Sequence, residues 1–244
     1  MNSVRWSGVV FLCVCSLMAW PALAMRGARV ESAAVPPPKH VVIEFGHRLE
    51  YAPTDTRRQL QSMTISMGTL QSQQFDLRIP WRIEQSGGTN LNFGDLELFY
   101  KLGALSAWSD ERGLFGAYLR TTFPSDKEGR ATGDNYQIET GTVLTQRGEH
   151  TLFNLNAGSL IQTNGDELAR YGVSMEYAGR RVGIYAELTG LTDFQDNGKQ
   201  EIFSGAGGLE VMIGKRFTLD LGAEKGITSD APNWAVFAGA TLTL

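Results

Sequence analysis

The sequence predicts an all-β fold, an antiparallel transmembrane β-barrel of about 12 strands that follows a cleaved signal peptide. Three observations carry the prediction. From residue 40 onward, apolar and polar side chains alternate with period two through a dozen stretches of about ten residues, the length of a tilted strand crossing a bilayer. The connections between them alternate between tight turns and longer polar loops, as periplasmic turns and external loops do. The last stretch, 234–244, reads W-A-V-F-A-G-A-T-L-T-L. It sets Trp234, Val236, Ala238, Ala240, Leu242 and Leu244 on one face and Ala235, Phe237, Gly239, Thr241 and Thr243 on the other. Such a final strand is expected to close against the first and leave no open edge in lipid.

The first 24 residues stand apart. Arg5 precedes an uncharged run over 6–23 that ends in Ala22-Leu23-Ala24, the pattern of a secretory signal cleaved after Ala24. The run is also about long enough for an uncleaved anchor. Small residues at the cleavage positions, and the absence of any other such run, favour cleavage. Val14 before Cys15 argues against lipidation. Both cysteines, Cys13 and Cys15, fall in this segment, so a mature chain has no disulfide, thiolate metal site or cysteine nucleophile. Removing Arg5 moves the formal net charge from -4 to -5. A mildly acidic chain without basic runs gives no reason to expect nucleic acid. Residues 25–39 carry little pattern apart from Pro36-Pro37-Pro38, which favours a stiff, extended segment. They are expected to form a periplasmic lead-in, with a small plug inside the lumen as the alternative, and 40–244 the barrel.

Taken in order, the first strand, 40–51, points Val41, Ile43, Phe45 and Leu49 outward and Glu44, Gly46, Arg48 and Glu50 inward. The second, near 60–68, is the weakest: Met63, Ile65 and Met67 alternate with Ser62, Thr64 and Ser66. The third, 74–84, opposes Phe75, Leu77, Ile79, Trp81 and Ile83 to Asp76, Arg78, Pro80, Arg82 and Glu84; Pro80 predicts a bulge or local break. The fourth, 91–102, carries Leu96, Leu98, Tyr100 and Leu102 outward against Glu97, Phe99 and Lys101. The fifth, 114–123, carries Phe115, Ala117, Leu119 and Phe123 against Tyr118, Arg120 and Thr122. In the sixth, 137–145, Ile138 and Leu144 oppose Glu139, and in the seventh, 151–161, Phe153, Leu155 and Ile161 oppose Asn154, Asn156 and Gly158.

The eighth, 170–177, sets Tyr171, Val173, Met175 and Tyr177 against Ser174 and Glu176. The ninth, 182–192, alternates Val182, Ile184, Ala186 and Leu188 with Tyr185, Glu187 and Thr189. The tenth, 202–213, is glycine-rich with Phe203, Leu209, Val211 and Ile213 outward; the eleventh, 217–226, sets Phe217, Leu219, Leu221 and Ala223 against Thr218, Asp220, Gly222 and Glu224. Tight turns are expected at Arg147-Gly148, Gly179-Arg180 and Gly214-Lys215, and long loops over 124–135, 162–167 and 193–199. The stretch 106–112 is long for a periplasmic turn and has no explanation in the pattern.

The inward face is charged. Arg48, Arg78, Arg82, Lys101 and Arg120 come from the first five strands, among Glu44, Asp76, Glu84 and Glu97; the later strands contribute Glu139, Glu176, Glu187, Glu210, Asp220 and Glu224. Charges are too costly to bury in a sealed apolar core, whereas a lumen holding water or a paired network tolerates them. The expected pore-lining set is Arg48, Arg78, Arg82, Glu97, Lys101, Arg120, Glu139, Glu176, Glu187, Asp220 and Glu224. Opposite charge on facing walls would orient dipolar solutes. The competing expectation is that these groups pair across a narrow interior and fill it.

Residues 93–102, F-G-D-L-E-L-F-Y-K-L, resemble the G-D-x-x-x-x-x-K-Y-type strand of the outer-membrane family named for the meta pathway of phenol degradation. Thr122-Phe123-Pro124-Ser125-Asp126 is similar to that family's P-[ST]-G turn, with Asp126 where glycine is usual. Leu219-Asp220-Leu221-Gly222, with Gly226-Ile227-Thr228 and Ala231-Pro232-Asn233, resembles its penultimate hairpin. The chain departs in ending on Leu244 instead of an aromatic. Over roughly 64–244, the resemblance implies an outer-membrane barrel of a kind often described as a transporter and sometimes placed with aromatic-compound catabolism.

Enzyme chemistry finds no constellation. His40 opens the first strand, His47 has outward parity and His150 sits in a tight turn; none lies beside a G-x-S-x-G serine or at metal-ligand spacing. Asp193 and Asp196 could bind calcium from a loop, but solvated loop charges are the simpler reading. The expected function is passive passage of small molecules through the charge-lined lumen, without cofactor or ATP. The expected partners are outer-membrane lipid, a small-molecule solute and the barrel-assembly machinery acting through the C-terminal strand. The alternatives are a closed structural or adhesive barrel acting through its loops, and a secreted soluble β protein with an internal apolar core.

Overall fold

The computed structural model describes residues 32–51, 57–70, 72–85, 89–106, 113–124, 136–163, 167–193 and 201–244. The expected signal peptide, residues 25–31, the stretch 107–112 and most of the long loops lie outside the described residues. Thirteen strands form one sheet among the described residues. The first six are β1 (Val41–Tyr51), β2 (Arg57–Leu70), β3 (Gln73–Gln85), β4 (Thr89–Phe93), β5 (Leu96–Ser106) and β6 (Gly113–Phe123). They are followed by β7 (Gln137–Arg147), β8 (Thr151–Gln162), β9 (Glu167–Ala178), β10 (Val182–Asp193), β11 (Glu201–Ile213), β12 (Phe217–Gly226) and β13 (Trp234–Thr243).

β4 and β5 are two halves of one stave. β3 pairs with β5 from Gln73↔Leu102 to Arg78↔Glu97, then with β4 from Trp81↔Phe93 to Gln85↔Thr89. Pro80 stands at the gap. Its missing N–H and its carbonyl face the same neighbour, and that carbonyl accepts from the Gly94 N–H at 2.8 Å. The break expected at Pro80 therefore falls on the facing stave, at Gly94-Asp95, while β2 holds β3 in unbroken register through Ser62↔Pro80. Counted as staves, the barrel has the expected twelve strands, all antiparallel.

The barrel closes as the last strand predicts. β13 pairs with β1 from Thr243↔Val42 to Trp234↔Tyr51, and the Leu244 N–H donates to the Val41 carbonyl at 2.8 Å. The Tyr51 and Trp234 rings stack 3.9 Å apart. Tight turns stand where the sequence places them: the Gly148 N–H bonds the Thr151 carbonyl, the Gly179 N–H bonds the Val182 carbonyl, and Gly214 takes a positive φ of 73° between β11 and β12. These turns share one end of the barrel with the start of β1 and the end of β13.

Alternation puts the apolar face outside. Ile184 and Met175 are each 57 % exposed, while Glu139, Lys101 and Glu224 are almost fully enclosed inside. This is the reverse of a soluble β protein, whose apolar stripes would meet in a core; the soluble alternative is not the arrangement found. Outward aromatics gather toward the strand ends, Phe123 against Tyr136 and Tyr171 against Phe203 at the loop end, Phe75 against Tyr100 at the turn end. β2 is longer than its pattern suggested because Gln59 and Gln61 interrupt its outward face. Gln61 is held there by His47 at 3.3 Å and by the Trp81 indole N–H.

Candidate functional site: a charged lumen with a strapped floor

The interior holds a cavity of about 670 Å³, large enough for many waters. Five basic and five acidic side chains border it: Arg48, Arg78, Lys101, Arg120 and Arg170, with Glu44, Asp76, Glu97, Glu176 and Glu187. Inward parity brings all ten there, since each lies on the face of its strand opposite the exposed apolar residues.

The best-formed cluster lies on β5 to β9. Glu139, 2 % exposed, receives the Tyr118 hydroxyl at 2.9 Å, pairs with Arg120 Nη1 at 3.2 Å and with Arg170 Nε at 3.5 Å. Arg120 also lies over the rings of Phe99 and Tyr118, at 5.2 and 6.0 Å from their centroids. The Tyr118 ring lies flat over Gly141 on the next strand, where any side chain would collide with it. Arg78 Nη1 meets Glu97 Oε2 at 3.4 Å, and both side chains remain about a quarter exposed to the lumen. Packing and pairing thus aim the guanidinium groups into the cavity and restrict their motion.

A second ion pair is sealed. Arg48 Nη1 meets Glu224 Oε2 at 2.6 Å, with Glu50 3.4 Å from Arg48 Nε; the Arg48 and Glu224 side chains are 5 % and 2 % exposed. Phe237, 1 % exposed, fills the inner face of β13 beside them. Asp220 is also buried on this side, in register with Glu210.

The floor of the cavity is made by the chain before β1. Residues 37–40 turn against the end of β2, with the Lys39 N–H donating to the Gly68 carbonyl at 2.9 Å and the Gly68 N–H to the His40 carbonyl at 3.1 Å. From there the segment crosses to the opposite wall. The Ala33 N–H donates to Thr145 Oγ1 at 2.8 Å, and Lys101 Nζ donates to the Ser32 carbonyl at 2.9 Å. Thr145 continues to Asn154 at 2.7 Å and Asn154 to Ser174 at 3.0 Å, a polar chain across β7, β8 and β9. Ala33 is fully buried among Phe99, Leu114, Tyr118 and Val143. A Cβ at Gly68 or Gly103 would strike the backbone of this strap, so both positions need glycine for its close approach. The described part of the expected lead-in, from Ser32 on, therefore lies inside the mouth of the barrel.

Of the expected lining set, Arg48, Arg78, Glu97, Lys101, Arg120, Glu176 and Glu187 border the cavity. Glu139 lies behind Arg120 and Arg170, while Asp220 and Glu224 are buried away from it. Arg82 is in β3, but its side chain lies outside the described residues. Arg170, Tyr118, Phe99 and the strap residues were not in the set. Arg170 shares parity with Ser174 and Glu176, a signal that could have found it. The histidines stand apart: His40 beside Pro38, His47 beside Gln61, His150 beside Glu149 and Tyr177. No group of three metal-ligating side chains occurs among the described residues.

No family model matches the chain, and no curated protein matches it. Solved structures do. An outer-membrane channel from Pseudomonas putida F1 superposes with a TM-score of 0.65 at 12 % identity, over 91 % of this chain and 100 % of that one. The NanC porin gives 0.62 at 11 % identity, over 84 % of this chain and 100 % of that one. The translocator domain of the autotransporter NalP from Neisseria meningitidis gives 0.50 at 11 % identity, over 97 % of each chain. At these identities the likeness is one of fold. The chain has the closed antiparallel barrel of these outer-membrane proteins.

Proposed function

We propose that the chain is an outer-membrane channel that passes small molecules passively through its charge-lined lumen. Residues 1–24 would act as a cleaved signal peptide, residues 25–39 would lie at the periplasmic mouth, and residues 40–244 would form the barrel. The observation that carries the reading is the combination of an apolar exterior with an interior cavity bordered by ten charged side chains. Such an arrangement is tolerable where the outside meets lipid and the inside holds water. The likeness to an outer-membrane channel and to a porin supports the same class, and the short motifs over 64–244 keep the meta-pathway family as the proposed kinship. In this reading the exterior partner is outer-membrane lipid, and the β13 strand that closes the barrel is what the assembly machinery would engage. Passage by diffusion calls for no cofactor and no bond-making chemistry.

The strap favours a second reading, a barrel closed at its floor that acts through its loops. Refolded mature protein in a planar bilayer separates the two. Discrete conductance steps that scale with salt support the channel; silence from protein that shows heat-modifiable migration supports the closed barrel.

A further inference from the structure

Among the described residues, the charges that border the cavity are met at their own level. Arg78 pairs with Glu97, Arg120 and Arg170 both reach Glu139, and Arg48 holds Glu224 and Glu50. Lys101 donates to the Ser32 carbonyl of the strap, Asp76 accepts from the Gln74 amide, and Glu44, Glu176 and Glu187 are engaged too. These groups leave a charged solute no counter-charge of its own. To enter, it must shed water and then either break one of the pairs or stay unpaired in a confined space, and both are costly. An uncharged solute faces neither cost.

The same pairs suit hydroxyl groups. Arg78 and Glu97 meet through one nitrogen and one oxygen, Nη1 and Oε2, and Arg170 meets Glu139 through Nε. A guanidinium carries five N–H groups and a carboxylate two oxygens, so one contact each leaves donors on Arg78 and Arg170 and an acceptor oxygen on Glu97. These three are also the most open of the paired groups at the cavity, with 27, 23 and 30 % of the Arg78, Glu97 and Arg170 side chains exposed. Arg170 stands close enough to Glu97 for their charges to interact, which makes the three one cluster. A hydroxyl both donates and accepts, so neighbouring hydroxyls can serve arginine and glutamate together without parting them. Ser62, Thr64, Ser66, Asn154, Ser174 and Thr189 continue the uncharged polar border. Phe99 and Phe237 border the cavity as well but are almost fully enclosed, so neither offers a solute much ring surface. We propose that the lumen holds a binding site for uncharged, hydroxyl-rich solutes, sugars or polyols, received by Arg78, Glu97 and Arg170, and that it disfavours charged solutes of the same size. The site rests on the channel reading in needing a water-accessible lumen, and it narrows that reading to a class of solute. The cavity, about 670 Å³, is of the size that holds small molecules.

The test uses the refolded mature protein in liposomes loaded with three sugars of one size: glucose, which is uncharged, glucosamine, which carries an ammonium, and glucuronate, which carries a carboxylate. Efflux of each is assayed chemically, and conductance in potassium chloride is recorded beside it in a planar bilayer. The wild type should release glucose at least about tenfold faster than either charged sugar, the factor expected for one poorly compensated charge. Glucose efflux should also saturate with concentration, as passage through a binding site does. Arg78→Gln leaves Glu97 without its nearest cation and should raise glucosamine efflux relative to glucose by at least about threefold. Glu97→Gln should do the same, by a similar factor, for glucuronate. Heat-modifiable migration checks folding, and Arg170→Gln serves as the second variant on the basic side. Equal efflux of all three sugars in a conducting channel, or a charged sugar ahead of glucose, overturns the site and leaves the channel standing. Conductance without sugar efflux, or glucose efflux that never saturates, does the same. Neither conductance nor efflux overturns the channel and the site together.

Discussion

Two arginine–glutamate pairs in the same lumen have different environments. Arg48 and Glu224 approach to 2.6 Å and are almost fully enclosed, whereas Arg78 and Glu97 sit 3.4 Å apart with about a quarter of each side chain exposed. Both pairs have inward parity and the same chemistry. The first joins β1 to β12 across the closing β13 strand, so it ties together the region where the sheet meets itself. The second lies on the cavity wall, where water can screen it. A charge inside a barrel can thus be a strut as well as a lining group, and the neighbours around it, not its residue type, decide how much water it meets.

The sealed pair should be the most sensitive to change. Glu224→Ala leaves the Arg48 guanidinium enclosed without its nearest carboxylate and is expected to cost about 3–5 kcal/mol, measured by urea unfolding of the refolded barrel. Glu97→Gln, on the same scale, should cost no more than about 1 kcal/mol. Equal losses would erase the distinction. Next in size is the contrast between a charged and an apolar substitution on the outward face of β12. Leu219→Arg places a charge against lipid and should cost about 2–4 kcal/mol and impair membrane insertion, whereas Leu219→Val should insert normally.

Smaller in energy but visible in current is the strap. Deleting residues 32–38 should raise unitary conductance while heat-modifiable migration persists, because the deletion removes the cavity floor and leaves the seam intact. Unchanged conductance would mean that ions pass elsewhere. Smallest in stability are the lining changes Arg120→Gln and Glu176→Gln. Each should shift ion selectivity, in opposite directions, with little effect on assembly.

The sequence carried the fold because a barrel writes its two faces into a period of two. Residues 234–244 announce the closing strand, and the register of β13 on β1 follows their alternation residue by residue. Pro80 announced a break, and the missing N–H located it on the stave that Pro80 faces. The site was less legible. Parity finds every inward charge, Arg170 included, but it cannot tell Glu224 from Glu97, because enclosure depends on neighbours such as Phe237 that come from other strands. The strap left no periodic trace at all. Its decisive contact joins Ala33 to Thr145, 112 residues apart, and only the stiffness of Pro36-Pro37-Pro38 hinted that the segment had a fixed course.

The central claim is a water-filled lumen bordered by balanced charges, and the reversal potential across a salt gradient tests it most directly. The wild-type channel should conduct with little preference between potassium and chloride. Arg120→Gln should turn it toward cations and Glu176→Gln toward anions. A silent wild-type barrel, or two variants that shift the potential in the same direction, would contradict the account.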